Sequence, residues 1–274
     1  MDSLGHVHGL GVDPAGGKTF VATHTGVWQL DSGYLNGKSS TTAPEQVAGR
    51  SQDTMGFTIA GPGLMFASGH PDPENNPDQS PPNLGLIKSL DGASSWKTVS
   101  LDGRTDFHDL VTVPFGADGA QLRIYGYDAA RQTVMVSDDS GLQWRDGAAL
   151  ALRKLAVNKY DPNVVYATTQ SGLQVSRDAG VSFTLVAGAP SLFLIDAITA
   201  SSGSFVGVDI DDVIWTTNDG ASTWQRHGML NAPPEALAYV SGAGKPWILA
   251  TDKRGIVTTC DYGATWTVLY PVKP

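Results

Sequence analysis

Three features of this 274-residue chain predict an all-β fold, a six-bladed β-propeller with four-stranded antiparallel blades. One short motif recurs five times at a spacing of about forty residues, the length of a propeller blade. Each copy is bracketed by short runs rich in Val, Ile, Thr and aromatic residues, the composition of strands. Glycine (32) and proline (16) are abundant enough to turn the chain between so many strands.

The motif reads SLDGASSW at 89–96, SDDSGLQW at 137–144, SRDAGVSF at 176–183, TNDGASTW at 217–224 and TCDYGATW at 259–266. Ser or Thr stands two places before an aspartate, a glycine follows one or two places after it, and an aromatic closes the stretch. These residue types suit a tight turn. The aspartate and hydroxyl oxygens accept hydrogen bonds from backbone N–H groups of the same turn. Glycine adopts the positive φ that other residues resist, and the Trp or Phe packs on a neighbouring sheet. The five motifs are therefore read as structural.

In the fourth blade the strands read KLAVN, VVYATTQ, GLQVSRD and SFTLVAG, innermost to outermost, with the motif at the turn between the last two. The same reading divides the chain into blades at approximately 6–50, 53–101, 105–149, 152–188, 192–229 and 233–272. The first blade carries HGLGVDP, TFVATHT and GVWQLDSG. Its QLDSG is a degenerate copy, with Gln29 in place of Ser or Thr and no closing aromatic. Insertions fall at 33–46 and at 71–84, and the second, PDPENNPDQSPPN, is expected to roof the end of the propeller where it lies.

Composition excludes several classes of function. A net charge of −9 with only 18 Lys and Arg argues against nucleic acid and anionic membrane surfaces as partners. The single cysteine, Cys260, forbids an intrachain disulfide and falls at the end of the fold occupied by the motifs. No apolar run approaches the about 18 residues of a membrane span. The opening MDSLGHVHG has neither the basic nor the apolar region of a signal peptide. GAGKP at 242–246 is a turn with no following helix, not a phosphate loop. A monomer that takes a small molecule or a metal ion is the expectation.

The histidines give that expectation a location. Antiparallel strands alternate direction, so the ends of the innermost strands gather at the face opposite the aspartate turns. Aligning the starts of the innermost strands rings the channel mouth with His8, Met55, His108, Arg153, Asp196 and Glu235. The ends of the second strands add His24, His70, Asp128 and Asp209 at the same face. His6 and His8, two apart on one strand, point the same way. Five of the six histidines thus converge on the first three blades, and only His227 falls elsewhere. Neutral imidazole is the commonest transition-metal ligand, and rigid strands suit a tetrahedral or tetragonal ion. His8, His24, His70 and His108 are expected to supply most of a copper or zinc site, with His6 as a further ligand or partner. Met55 adds a thioether that copper accepts better than zinc. Asp72, Asp106 and Asp109 are near enough in sequence to orient imidazole N–H groups.

The repeated turn closely resembles the Asp-box, or BNR repeat, of sialidase-like β-propellers, in which it is structural and lies away from the active site. Beyond the repeat, HVHGLGVDP, VATHTGVW, MGFTIAGPG, ASGHPD, DFHDL and YGYD are similar to a group of bacterial exported proteins labelled BNR-type glycosyl hydrolases. That resemblance implies export to the periplasm, cell surface or exterior, with a leader that this sequence does not show. It does not carry over the sialidase machinery. Sialidases use three arginines and a Tyr/Glu pair, whereas this chain offers Arg104 and Arg153 near the mouth and only three glutamates, Glu45, Glu74 and Glu235. HVHGLG also stands where sialidases have an Arg-Ile-Pro motif. The alternative to a metal site is therefore a carbohydrate-active or carbohydrate-binding propeller, a hydrolase or lyase other than a sialidase. In it Asp196 and Glu235 would act as acid and base, and Arg153 and Asp128 would contact substrate.

Overall fold

A computed structural model of the chain describes residues 4–31, 33–36, 43–72, 82–199, 201–240 and 244–271. It is a six-bladed β-propeller. Each blade is a four-stranded sheet whose strands follow one another in sequence order, antiparallel throughout. The innermost strands are Val7–Val12, Asp53–Gly61, Phe107–Phe115, Lys154–Val157, Leu192–Ala197 and Leu237–Val240. The outermost are Glu45–Gln46, Lys97–Ser100, Arg145–Ala149, Thr184–Leu185, Gln225–Met229 and Thr267–Pro271. The first blade, which lacks a good motif, has only the two-residue Glu45–Gln46 as its outer strand. Among the described residues the helical segments are two short 3-10 turns, and no helix is long and apolar enough to cross a membrane.

Burial explains the residue pattern. Blades pack face to face, so the second and third strands are covered on both sides and read as unbroken apolar or β-branched runs, as in Thr19–Thr23 and Thr133–Ser137. The outer strands are half exposed and polar, which protects the sheet edges from further pairing. Six apolar clusters fill the six interfaces between neighbouring blades. The motif aromatics Trp96, Trp144, Phe183, Trp224 and Trp266 each pack on the interface with the preceding blade. At the seam between sixth and first blades, Tyr34 of the 3-10 turn Gly33–Asn36 fills that role, edge-on to Trp247 at 5.5 Å.

The aspartate turns are built as their composition requires. At Asp178, Ser176 Oγ donates to one carboxylate oxygen at 2.7 Å, and the same oxygen accepts the Ser182 N–H at 2.9 Å. Ser182 Oγ donates to the other at 2.6 Å, and Gly180 N–H donates to Ser176 Oγ at 2.8 Å. The turns at Asp91 and Asp261 repeat the pattern. In all five, both residues after the aspartate have positive φ, and glycine occupies one of them: Gly92 and Gly220 the first, Gly141, Gly180 and Gly263 the second. That is why the sequence shows glycine one or two places on.

The innermost strands enclose a channel. Its half nearer the aspartate turns holds a cavity of about 1010 Å³, walled by residues such as Leu10, Ile59, Leu110, Lys154, Asp196 and Tyr239. The five clustered histidines lie outside it, at the opposite end.

Candidate metal centre

The mouth of the channel is shaped by a repeated irregularity. In four inner strands the pairing with the second strand skips one residue near the start. Val7 faces Thr23 and Gly9 faces Ala22, leaving His8 extra. In the same way Met55, His108 and Phe193 are the unpaired residues of the second, third and fifth blades. A bulge bends the strand and re-aims the extra side chain, here at one level around the mouth. In the fourth blade Arg153 occupies that level, its N–H donating to the Thr168 carbonyl at 2.9 Å. In the sixth, Glu235 does so beside Thr251. The pairing corrects one member of the sequence alignment: Phe193, not Asp196, completes the ring, and the Arg153 guanidinium stacks on its face at 3.8 Å. Asp196 sits further along the strand, opposite Val206, in the channel cavity.

On the first blade His6, His8 and His24 form a compact group, with one ligand atom of each lying within 4.8 Å of the others. His6 and His8 rings are 4.7 Å apart, and His8 and His24 meet edge-on at 4.4 Å, with His8 Nε2 and His24 Nδ1 separated by 3.4 Å. His24 stands at the turn that follows the second strand, and the Asp53 carboxylate lies 2.9 Å from its Nδ1. A carboxylate only accepts, so Nδ1 carries the proton and Nε2 keeps its lone pair. Asp53 escaped the sequence reading. Its signal was its position two residues before Met55, on the same strand face.

On the second and third blades His70 and His108 converge on a different group. Asp106 Oδ2 lies 2.8 Å from His108 Nε2 and 3.4 Å from His70 Nε2. His70 Nδ1 faces the Pro82 carbonyl at 3.0 Å. Asp106 is 9 % exposed, and its Oδ1 is buried with no hydrogen-bond partner.

The electrostatics divide the histidines. Burial pushes His8 down to about 3, helped by the charges that His24, His6 and His108 would carry, so its imidazole is neutral throughout the ordinary pH range. The hydrogen bond to Asp106 raises His108 above the usual histidine range. His8 is thus a standing lone-pair donor, whereas His108 holds its proton more tightly.

The other residues singled out from sequence are placed as follows. Glu235 accepts the Val7 N–H at 2.8 Å and lies 3.7 Å from His6 Nε2. Asp196 accepts the Ala197 and Tyr239 N–H groups at 2.8 and 2.7 Å, and burial raises its pKa. Asp128 is buried and accepts the Arg131 N–H at 3.1 Å. Asp109 turns from the histidines to Lys154 Nζ and the Leu155 N–H, at 2.5 and 2.6 Å. His227 lies on an outer strand, bonded to Thr216 and stacked on Tyr262. Of the 71–84 insertion, residues 73–81 lie outside the described residues.

No family model matches the sequence, and no curated protein matches it. Solved structures do resemble it. An ancestral GH74 enzyme superposes on 98% of the chain with a TM-score of 0.58 at 14% identity. The GH74 xyloglucanase from Xanthomonas campestris covers 96% with a TM-score of 0.59 at 16% identity. YCF48, in a structure bound to a D1 peptide, covers 97% with a TM-score of 0.55 at 13% identity. The chain spans 39% and 45% of the two GH74 chains and 82% of YCF48. At these identities the likeness is one of fold: the chain is a β-propeller similar in architecture to glycoside hydrolases and to a peptide-bound propeller.

Proposed function

We propose that the mouth of the channel binds a divalent transition-metal ion, zinc or copper, through His6, His8 and His24. The observation that carries this reading is the approach of three imidazoles to within 4.8 Å, one of them kept neutral by burial. Donors at about 2.0–2.1 Å from a tetrahedral ion stand about 3.4 Å apart, so small ring rotations close the site. Three histidines leave a coordination position open, the arrangement of catalytic rather than purely structural zinc. Met55, next in the ring, offers a thioether that favours copper. Arg153, across the mouth, presents a guanidinium to an anionic group on a substrate. The reading includes export, on the resemblance to exported bacterial proteins.

The carbohydrate alternative has the GH74 neighbours behind it as fold analogy. The geometry favours it less. Asp196 and Glu235 each accept a backbone N–H from the adjacent blade, roles that fasten the ring.

Metal analysis of tag-free protein tests the proposal. Wild type should take up zinc or copper stoichiometrically. His8→Ala/His24→Ala should lose the ion from this group and keep its circular dichroism spectrum, and His227→Ala should bind as wild type does. Unchanged affinity in the double variant would overturn the reading and move the carbohydrate alternative to first place.

A further inference from the structure

We propose that His70, Asp106 and His108 form a second transition-metal position beside the first, making the channel mouth a two-ion centre. The inference takes its first position from the reading above. The second position stands on its own residues.

Three observations point to a cation there. The first is a proton count. Pro82 offers only a carbonyl to His70 Nδ1, so Nδ1 is the protonated nitrogen of the neutral ring. His70 Nε2 then turns a lone pair toward Asp106 Oδ2 at 3.4 Å, and the carboxylate oxygen returns its own. In that tautomer two lone pairs face each other, an arrangement that a cation converts from repulsion to coordination. The second is the stranded oxygen. Asp106 Oδ1 is buried without a partner, and an unsatisfied carboxylate oxygen carries a large desolvation cost. A metal ion is the partner that engages a carboxylate and neighbouring imidazoles together. The third is spacing. Neighbouring ligand atoms about 2.1 Å from one ion stand about 3.0–3.4 Å apart; His70 Nε2 lies at that distance, 3.4 Å, from Asp106 Oδ2, and His108 Nε2, which donates a hydrogen bond to the same oxygen at 2.8 Å, gives up that proton when the ion binds.

The donor set differs from that of the first position. Two imidazoles and one carboxylate are harder than three imidazoles, and they suit zinc, iron(II) or manganese over copper(I). The supports are also independent. His70 ends the second strand of the second blade, His108 is the bulged residue of the third, and Asp106 lies in the link that enters the third. None is shared with His6, His8 or His24. His8 nonetheless senses the charges of His108 and Asp106, so the two groups are electrostatic neighbours.

The test counts ions. Tag-free, chelator-treated full-length protein is titrated with zinc chloride by calorimetry and checked by equilibrium dialysis. The proposal expects two equivalents for wild type. Asp106→Asn and His70→Ala should each weaken one equivalent by about 100-fold or more, leaving the other intact. His8→Ala/His24→Ala should show the converse. Cobalt(II) supplies a second readout, because two neighbouring ions couple magnetically and Asp106→Asn should abolish the coupling. Wild type binding one zinc that survives Asp106→Asn would overturn the second position and leave the first standing. One zinc lost in every variant would mean a single site drawn from both groups, which also overturns the proposal. No zinc in wild type would overturn both. Thermal melts of each variant establish that the fold is retained.

Discussion

His8 shows how much one backbone irregularity decides. Without the bulge, the side chains at this level would follow the plain alternation of the strand. With it, an imidazole is aimed into the mouth, half-buried among three other histidines. The same burial makes His8 a pH-dependent liability in the metal-free protein. Its pKa lies at about 3 in the folded state against 6.5 in the unfolded chain. Between those values the unfolded state binds more protons, so stability is complete above pH 6.5 and falls as pH drops toward 3. The slope for one group is at most about 1.4 kcal/mol per pH unit. Urea unfolding of chelator-treated protein at pH 7, 5.5 and 4.5 should show the decline, and His8→Asn should flatten it. An unaltered slope in the variant would mean the imidazole is solvated. The residue types and their convergence on one end were legible in the sequence, because alternation and blade spacing fix the end of the fold. Their division into two groups was not. It depends on Asp53, the first residue of the second inner strand, on Asp106, in the link that enters the third blade, and on which imidazole nitrogen each one faces.

At the scale of the element, the blade turn is the feature the sequence announces most plainly. Its residues bond within eight positions of one another, so local spacing carries the whole geometry. Register is less legible. The fifth inner strand starts at Leu192, but in SLFLIDAITA nothing marks the bulge at Phe193, and sequence spacing alone put Asp196 in the ring. The turn also makes a prediction. Ser137 is fully buried, donates to Asp139 and accepts the Gly141 N–H at 2.8 Å. Ser137→Ala strands that N–H and should cost about 1–3 kcal/mol, read as a lower denaturant midpoint with zinc uptake at the far end unchanged. A loss of metal binding in step with the stability would show that the two ends are coupled.

For the whole molecule the question is how the ring closes. Every blade is made from consecutive strands, and among the described residues no strand of one blade completes the sheet of another. The seam between sixth and first blades therefore has no shared backbone ladder. It is held by an apolar cluster containing Val7, Leu30, Tyr34, Ala238 and Leu249, by the Tyr34–Trp247 contact, and by the Glu235 carboxylate on the Val7 N–H. The other interfaces have chain running across them, which keeps their blades together when packing loosens. Among the described residues the seam has no such tether, and it should open first. Tyr34 is 5 % exposed, and its hydroxyl bonds to Thr19 at 3.2 Å, so Tyr34→Ala removes both a large ring and a buried polar contact. Deleting a buried aromatic ring costs about 3–5 kcal/mol. Hydrogen exchange should report where that loss falls. Amides of the first and sixth blades should exchange faster in the variant, while those of Lys154–Val157 and Val165–Thr169, remote from the seam, should change least. Because His6, His8 and His24 all ride on the first blade, opening the seam should also loosen the first metal position and leave His70, Asp106 and His108 in place. A uniform rise in exchange around the ring would mean instead that the six interfaces open together, with closure as firm at the seam as anywhere else.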